Sequence, residues 1–203
     1  MIAQNRQFAN AGYSIRTCTS QELDEIWPEI HNVSQTTEQM NHGHVGVIKR
    51  EYKLTDARTL NMLSSIVGPM TQQYLQENHY AVQPGRQLGL AQAWVNLQAP
   101  GEYLAPHTHT SLFSFALWMS VPFTQSQEHE WHARQGKITQ QGPAFTFYYT
   151  DSTGRVTPCN LPVDRTWEGR CVLFPSEMTH GVTPFYSTQE PRITVSGNID
   201  YAN

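Results

Sequence analysis

The sequence predicts a mainly β fold of the α+β class, in which helices precede the strands. Two observations predict it. Before about residue 80 the apolar residues recur at helical intervals, and after it short runs of alternating apolar and polar residues are separated by glycine, proline, asparagine and aspartate. Many short strands without intervening helices are typical of a sandwich, a jelly roll or a barrel. The helices would then pack on one outer face of the strands.

Two helices are predicted in the first part of the chain. Thr19 and Glu22 have the spacing of a capping box before a helical apolar pattern, which Pro28 limits or kinks. A second helix, with one apolar face, is predicted from about residue 55 towards residue 77. Between the two helices, the segment 44–54 is predicted to be a strand or an extended segment.

Strand candidates occupy the second part of the chain, and turn residues separate most of them. They are the segments 90–98, 103–110, 112–121, 144–150, 159–163, 170–175, 179–185 and 192–199. With 203 residues, the chain suits one domain, 1–203, in which the region 1–80 is a helical support for a β core at 81–203.

Composition excludes several function classes. The formal net charge of −4 argues against nucleic acid as a partner, because phosphate binding needs a basic face. The three cysteines, Cys18, Cys159 and Cys171, form no CxxC pair and are expected to be reduced thiols. The N-terminal residues lack the apolar core of a signal peptide, and no run of about 18 apolar residues is present to span a membrane. We therefore expect a cytoplasmic protein without a membrane partner.

Three of the nine histidines have a spacing that suggests a metal site. His107 and His109 lie two residues apart in a predicted strand, so both imidazoles would point to one face. His180 follows another predicted strand far downstream. A close pair and one remote histidine can form a facial site that leaves positions open on an octahedral iron. The same pattern is also compatible with histidines exposed in loops.

Four other histidines are predicted to bind no metal. His42 and His44 share the two-residue spacing, but the flanking glycines indicate a loop. His129 and His132 lie in the long polar region 124–143, which is predicted to be an exposed loop. That region would serve either as a lid or substrate loop, or as a passive hairpin extension.

A polar strand face follows the third histidine. The period of two in the strand 192–199 places four polar side chains on one face and apolar side chains on the other. The four are Arg192, Thr194, Ser196 and Asn198. Either this face is exposed to solvent on an edge strand, or it points inward around a small anionic ligand. Arg192 suits the inward arrangement, because a planar guanidinium binds a carboxylate through two hydrogen bonds.

The residues in these segments resemble a known family. The order HxH, remote histidine and arginine is similar to that of the iron(II)/2-oxoglutarate-dependent oxygenases. The segments WVNLQAPGEYLAPHTHTSLFSFALWMSVP and LFPSEMTHGVTPFYSTQEPRITVSGNI resemble the 2OG-Fe(II) oxygenases found in marine bacteria and phages, and VGVIKREYKL extends the likeness to roughly residues 40–200. The resemblance implies a double-stranded β-helix (a jelly roll) of about eight strands that binds Fe(II), uses 2-oxoglutarate as co-substrate and consumes dioxygen.

The resemblance also implies roles for individual residues. His107 and His180 match the first and last metal ligands of the family, and Arg192 matches the residue that binds the distal carboxylate of 2-oxoglutarate. The positions expected to contact this co-substrate are Arg192, Thr194, Asn96 and Tyr103.

The sequence departs from the family at His109, where aspartate or glutamate is usual. Three outcomes are open. His109 ligates as a neutral imidazole and gives a three-histidine site, or it swings away, or a carboxylate such as Glu102 approaches from elsewhere. We favour ligation by His109. Imidazole ligands also suit zinc, nickel and copper.

The sequence does not determine the substrate. Similar folds hydroxylate proline, so a prolyl or another amino-acid residue is expected, with free amino acids and modified nucleobases left open. The candidate substrate contacts are Trp94, Trp118 and Asn198, although aromatic residues at such positions are more often part of a core. Three alternative functions remain: a cupin-like three-histidine dioxygenase that does not use 2-oxoglutarate, an inactive metal-binding module and a zinc hydrolase. A homo-oligomer is compatible with the sequence.

Overall fold

The fold consists of two antiparallel sheets, with helices on the outer face of the larger one. The computed structural model describes residues 12–35, 46–78, 80–137 and 142–202. The strands are β1 (Ser14–Thr17), β2 (Glu51–Leu54), β3 (Leu88–Gln98), β4 (Leu104–His107), β5 (Phe113–Ser120), β6 (Ala144–Thr150), β7 (Val156–Pro162), β8 (Arg170–Pro175), β9 (His180–Val182) and β10 (Arg192–Tyr201). The helices are α1 (Ser20–Asp24), α2 (Trp27–Ser34), α3 (Ala57–Glu77) and α4 (Gln125–Arg134).

The sheet topology is that of a jelly roll. The larger sheet has the strand order β1-β8-β5-β10-β3-β2, and the smaller sheet has the order β4-β9-β6-β7. From β3 onwards, the chain passes from one sheet to the other at almost every connection, which wraps the strands into two facing layers. The predicted fold class is confirmed, and each predicted strand is present. β4 and β9 are shorter than predicted because their pairing is irregular.

The N-terminal region contributes strands as well as helices. β1 pairs with β8 at one edge of the larger sheet, and β2 pairs with β3 at the other edge. The extended segment expected at 44–54 therefore contains a strand. β1 has only four residues, which is too short an alternation to predict. The region before residue 80 is thus part of the β structure and not only a helical support.

The predicted helices begin at capping residues. The Thr19 hydroxyl accepts a hydrogen bond from Glu22 N, and the Glu22 side chain accepts one from Thr19 N, which confirms the capping box. Pro28 lies in the first turn of α2, where its missing N–H needs no partner, so it starts a second helix instead of kinking the first. α3 follows Asp56, whose carboxylate accepts a hydrogen bond from Thr59 N at 3.0 Å.

The helices cover the apolar face of β10. Val195 of β10 and Ile66 and Met70 of α3 belong to one buried apolar cluster. Because neighbouring residues along a strand point to opposite faces, Thr194 and Ser196 point into the space between the sheets. β10 lies between β5 and β3, so it is not an edge strand. The polar face of this strand is therefore internal, which decides between the two arrangements left open by the sequence.

The polar region 124–143 is partly helical, and the expectation of an exposed loop is wrong for Gln125–Arg134, which form α4. Thr124 and Gln127 make a capping box at its start. That signal was present in the sequence, but the low hydrophobicity of the segment obscured it. No helix among the described residues is long and apolar enough to cross a bilayer.

Candidate metal and co-substrate site

A cavity of about 460 Å³ lies between the two sheets, and its size is typical of small-molecule sites. Aromatic, histidine and polar side chains line it. The aromatic residues include Trp94, Trp118, Phe145 and Phe174, the histidines are His107, His109 and His180, and the polar residues include Glu51, Asn96, Gln98, Arg192, Thr194 and Ser196.

Three histidines converge on this cavity. His107 ends β4 and His180 begins β9, and the two are direct partners in the smaller sheet. His109 lies two residues beyond the end of β4, in a loop, and not in the strand as predicted. The candidate ligand atoms of the three side chains all lie within 4.8 Å of one another. Within the described residues, no other group of three histidine, cysteine or acidic side chains has this arrangement.

Main-chain carbonyls orient two of the rings. Nδ1 of His107 lies 2.8 Å from the carbonyl oxygen of Ala105, and Nδ1 of His180 lies 2.9 Å from that of Met178. A ring nitrogen that donates to a carbonyl carries the proton of the neutral imidazole. Nε2 of each ring therefore keeps its lone pair for a metal, which is the usual arrangement around a histidine ligand.

His109 is positioned through its main chain. Its N–H donates to the carbonyl oxygen of Ser176 at 2.9 Å. The Ser176 hydroxyl lies 2.7 Å from that of Ser114, which in turn donates to Asn198 Oδ1 at 2.8 Å. Asn198 was expected to contact substrate, but it is not part of the cavity lining. It belongs instead to the polar network behind the loop of His109.

Burial keeps His180 neutral. Burial, together with the neighbouring His107 and His109, lowers the pKa of His180 to about 3, against the opposing effect of the Met178 carbonyl. The ring also stacks on Phe145, with 5.4 Å between the ring centroids. A neutral imidazole is the form that binds a metal ion, so His180 is prepared for ligation at neutral pH.

Arg192 lines the cavity and is 2% exposed. Its Nη2 donates to Gln98 Oε1 and, at 3.4 Å, to the carbonyl oxygen of Thr183. Burial lowers the pKa of Arg192 to about 9, while Glu128 raises it, so the guanidinium remains charged at neutral pH. Its Nη1 is buried without a hydrogen-bond partner in the structure. Gln98 was missed by the sequence analysis, although it faces Arg192 across the β3–β10 pair.

Side chains of α4 contact the segment that precedes Arg192 in the chain. Glu128 is fully buried and accepts hydrogen bonds from Tyr186 N at 2.9 Å and from Ser187 N at 2.7 Å. Trp131, one turn further along α4, stacks on the Tyr186 ring with 4.7 Å between centroids. These contacts hold the segment that leads into β10, so α4 is a brace for the start of that strand.

Polar residues of β2 and β3 continue the cavity wall. Asn96 faces Thr194 in the β3–β10 pair and Glu51 in the β2–β3 pair. With its amide oriented to satisfy both neighbours, Asn96 donates to Glu51 Oε2 at 2.5 Å and accepts from Trp94 Nε1 at 3.2 Å. Burial raises the pKa of Glu51 to about 7. The sequence analysis missed Glu51, because only the pairing of β2 with β3 carries it into the cavity.

Two other candidates lie away from the cavity. Tyr103 is 42% exposed and is not part of the lining. Leu104 faces the cavity, so the preceding side chain, that of Tyr103, points to the opposite side. The Glu102 carboxylate accepts a hydrogen bond from Ala99 N at 2.8 Å and is not in the histidine group. Trp94 and Trp118 do line the cavity. His42 and His44 lie outside the described residues.

A comparison with protein families identifies the chain. A family model described as "Putative 2OG-Fe(II) oxygenase" matches residues 92–198, which is more than half of the sequence. The chain belongs to this family. It is a 2-oxoglutarate-dependent oxygenase, an enzyme that uses Fe(II), 2-oxoglutarate and dioxygen. The predicted family, enzyme class and cofactors are confirmed, and the alternatives of a cupin-like dioxygenase and a zinc hydrolase are set aside.

Solved structures of oxygenases share the fold. A prolyl-4-hydroxylase from Pseudomonas putida aligns with a TM-score of 0.57 and 14% identity over 95% of this chain and 94% of that one. The alpha-ketoglutarate-dependent epimerase SnoN from nogalamycin biosynthesis aligns with a TM-score of 0.61 and 16% identity, over 93% of this chain and 77% of that one. HygX from Streptomyces hygroscopicus, with nickel, 2-oxoglutarate and hygromycin B bound, aligns with a TM-score of 0.59 and 12% identity, over 94% of this chain and 83% of that one. No curated protein matches the sequence.

The cavity suits the groups that this family uses. Three imidazoles with candidate donor atoms within 4.8 Å of one another are a suitable donor set for a divalent transition metal. The buried, unpartnered Nη1 of Arg192 suits an oxygen of a small dicarboxylate. The group contains no carboxylate, in keeping with the departure from the family at His109.

Proposed function

We propose that His107, His109 and His180 hold the Fe(II) of this oxygenase. We further propose that Arg192 and Thr194 bind the distal carboxylate of 2-oxoglutarate. One observation carries the proposal: a tight group of three histidine side chains and the unsatisfied Nη1 of a buried arginine face the same cavity. A buried guanidinium is costly without an anionic partner, and the co-substrate would supply that partner.

The residues of this chain would place the reactants and exclude water. When bound, Fe(II) supplies the activation of dioxygen, which is the chemistry of the cofactor. The carbonyls of Ala105 and Met178 fix two rings with Nε2 towards the metal. Phe145 and Phe174 form an apolar wall against His180, which limits the access of water to the metal.

We propose that His109 ligates the metal in place of the usual carboxylate. Its ring centroid lies 5.0 Å from that of His107 and 5.2 Å from that of His180, which supports a shared ion. The Glu102 carboxylate already accepts a hydrogen bond from Ala99 N. This contact argues against the alternative in which Glu102 replaces His109 as a metal ligand. A three-histidine site brings no negative charge to the metal.

The substrate that we propose is a prolyl residue or another amino-acid residue, which the enzyme would hydroxylate. Two solved structures that share the fold support it: the hydroxylase from Pseudomonas putida, and the viral collagen prolyl hydroxylase from Paramecium Bursaria Chlorella virus-1, with a TM-score of 0.51 and 11% identity. Trp94 and Trp118 line the cavity and offer apolar surfaces to such a ring. A cavity of about 460 Å³ suits a small diacid together with one side chain.

Anaerobic titration of the purified protein with Fe(II) and 2-oxoglutarate tests the site. We expect a weak visible charge-transfer absorption that appears only when both are present, because both must bind at one place. His107→Ala and His180→Ala should lose it. His129→Ala is the matched control, since His129 is an exposed histidine of α4 outside the cavity, and it should keep the absorption. An unchanged spectrum in His180→Ala would refute the proposed ligand set.

Peptides test the proposed substrate. With Fe(II), 2-oxoglutarate and dioxygen, a proline-containing peptide should gain the mass of one oxygen atom and should accelerate the formation of succinate. The matched control is the same peptide with alanine in place of proline, which should do neither. Equal modification of both peptides, or of neither across a set of sequences, would reject the prolyl assignment and leave the metal and co-substrate assignments untouched.

A further inference from the structure

Gln98 joins the buried arginine of the cavity to the turn that leads into β4. It ends β3, it is 2% exposed, and it lines the cavity. Its amide oxygen accepts a hydrogen bond from Nη2 of Arg192, and its amide nitrogen donates one to the main-chain oxygen of Glu102. Because the oxygen of an amide only accepts and the nitrogen only donates, these two contacts fix the orientation of the side chain.

The turn after Gln98 is held by contacts of its own. Glu102 N donates to the carbonyl oxygen of Ala99 at 3.1 Å, and the Glu102 carboxylate accepts from Ala99 N at 2.8 Å. Gly101 N donates to the carbonyl oxygen of Phe185 at 2.9 Å. The strand that follows, β4, pairs with β9. The main-chain oxygen that receives the Gln98 amide is therefore a fixed point relative to the metal-ligand strands.

The guanidinium of Arg192 has few other contacts. Within the part of the chain that the structure describes, it donates to Gln98 and to the carbonyl oxygen of Thr183, both through Nη2. Glu128 favours the charged form of Arg192 through its own negative charge, but its carboxylate accepts from main-chain N–H groups of the loop before β10. Among the described side chains, Gln98 is thus the one that is hydrogen-bonded to the guanidinium.

We propose that Gln98 is a positioning residue that sets the length of the diacid which this enzyme accepts as co-substrate. The inference rests on the proposed function, because it requires Arg192 to bind the distal carboxylate. An arginine side chain is long and flexible, and ordering it has an entropic cost. Held at Nη2, the guanidinium offers Nη1 at a fixed distance from the three histidines. A diacid with an additional methylene group then fits poorly between the two ends of the site.

Binding of three 2-oxo acids tests the inference, measured by calorimetry with Fe(II) under anaerobic conditions. 2-Oxoadipate is longer than 2-oxoglutarate by one methylene group, and 2-oxopentanoate has a methyl group in place of the distal carboxylate. The wild type should prefer 2-oxoglutarate to 2-oxoadipate about tenfold or more, since one methylene group commonly changes binding by that factor. It should bind 2-oxopentanoate roughly a hundredfold more weakly than 2-oxoglutarate.

Gln98→Met removes both hydrogen bonds and keeps a side chain of similar length. We expect it to bind 2-oxoglutarate about tenfold more weakly, because Arg192 is no longer held in place. Its preference for 2-oxoglutarate over 2-oxoadipate should fall about threefold or more, and its affinity for 2-oxopentanoate should not change. A role of Gln98 in folding alone would instead change the three affinities together. Gln98→Ala repeats the test if the methionine variant does not fold.

Gln73→Met is the matched control. Gln73 lies on the exposed side of α3 and outside the cavity lining. Its amide nitrogen donates to Glu77 Oε1 at 2.7 Å, so the substitution also removes a side-chain hydrogen bond of a glutamine. All three affinities should equal those of the wild type.

The outcomes separate this inference from the proposed function. An unchanged preference in the Gln98 variants would overturn the inference, and so would equal affinities of the wild type for the two diacids. If the wild type binds 2-oxopentanoate as tightly as 2-oxoglutarate, no distal carboxylate is recognised and the proposed function itself fails. A reduced preference in Gln98→Met, with unchanged binding of 2-oxopentanoate, supports the positioning role.

Discussion

Replacing Arg192 with methionine should abolish tight binding of 2-oxoglutarate without destabilising the metal-free protein. Nη1 of the guanidinium is buried without a hydrogen-bond partner, and Arg192 lines the cavity. Two charge-assisted hydrogen bonds to a carboxylate contribute about 1.5–3 kcal/mol each, so their loss should weaken binding roughly a hundredfold or more.

The stability effect follows from burial. A fall in the pKa of Arg192 from the ordinary 12.5 to about 9 corresponds to a cost of about 5 kcal/mol, as an upper bound, for keeping this charge in the folded state. Methionine removes that cost but leaves Gln98 Oε1 without its donor, which costs about 1–3 kcal/mol. The free energy of unfolding of the metal-free variant should therefore be similar to that of the wild type, or higher.

Calorimetry with 2-oxoglutarate and chemical denaturation of the metal-free protein measure the two effects. Arg86→Met is the matched control, because Arg86 is exposed and stacks on the Tyr201 ring away from the cavity. It should retain the wild-type affinity for 2-oxoglutarate. Wild-type affinity in Arg192→Met would refute the assignment of the distal carboxylate. A loss of several kcal/mol of stability would refute the argument from burial.

Four further predictions concern His180, Glu128, Thr194 and the cooperativity of unfolding. The pKa of His180 is lowered to about 3 from the ordinary 6.5, so between these pH values the unfolded chain binds a proton that the folded chain does not. As the pH falls below about 6.5, the free energy of unfolding should therefore decrease by up to about 1.4 kcal/mol per pH unit. His180→Leu should reduce this slope in denaturation curves recorded between pH 7 and 5. Glu128→Gln should weaken 2-oxoglutarate binding about tenfold by calorimetry, because it loosens the loop, and an equal loss of metal affinity would contradict a local brace. Thr194→Val should weaken the same binding about fivefold through the loss of one hydroxyl, whereas an unchanged affinity would show that Thr194 does not touch the co-substrate. Heating should give a single calorimetric transition, since strands from both parts of the chain share one sheet, and two separate transitions would contradict the expectation of one domain.

Local patterns in the sequence determined much of the fold and the centre of the candidate site. Alternation of polar and apolar residues located the strands, and the capping box located α1, because both signals depend only on residues close together in the chain. The same alternation placed Arg192 and Thr194 on one strand face. The family resemblance linked these residues to His107 and His180, which lie on strands that pair in the smaller sheet.

Only the tertiary structure decided which polar residues share the cavity. Glu51 and Gln98 line it because β2 and β10 pair with β3, and Glu128 supports it because α4 packs on the loop before β10. Tyr103 and Asn198 lie outside the cavity lining, since strand direction and irregular pairing determine where a side chain points. Burial, charge and hydrogen-bond partners arise from contacts between segments that are distant in sequence, so no local pattern carries them.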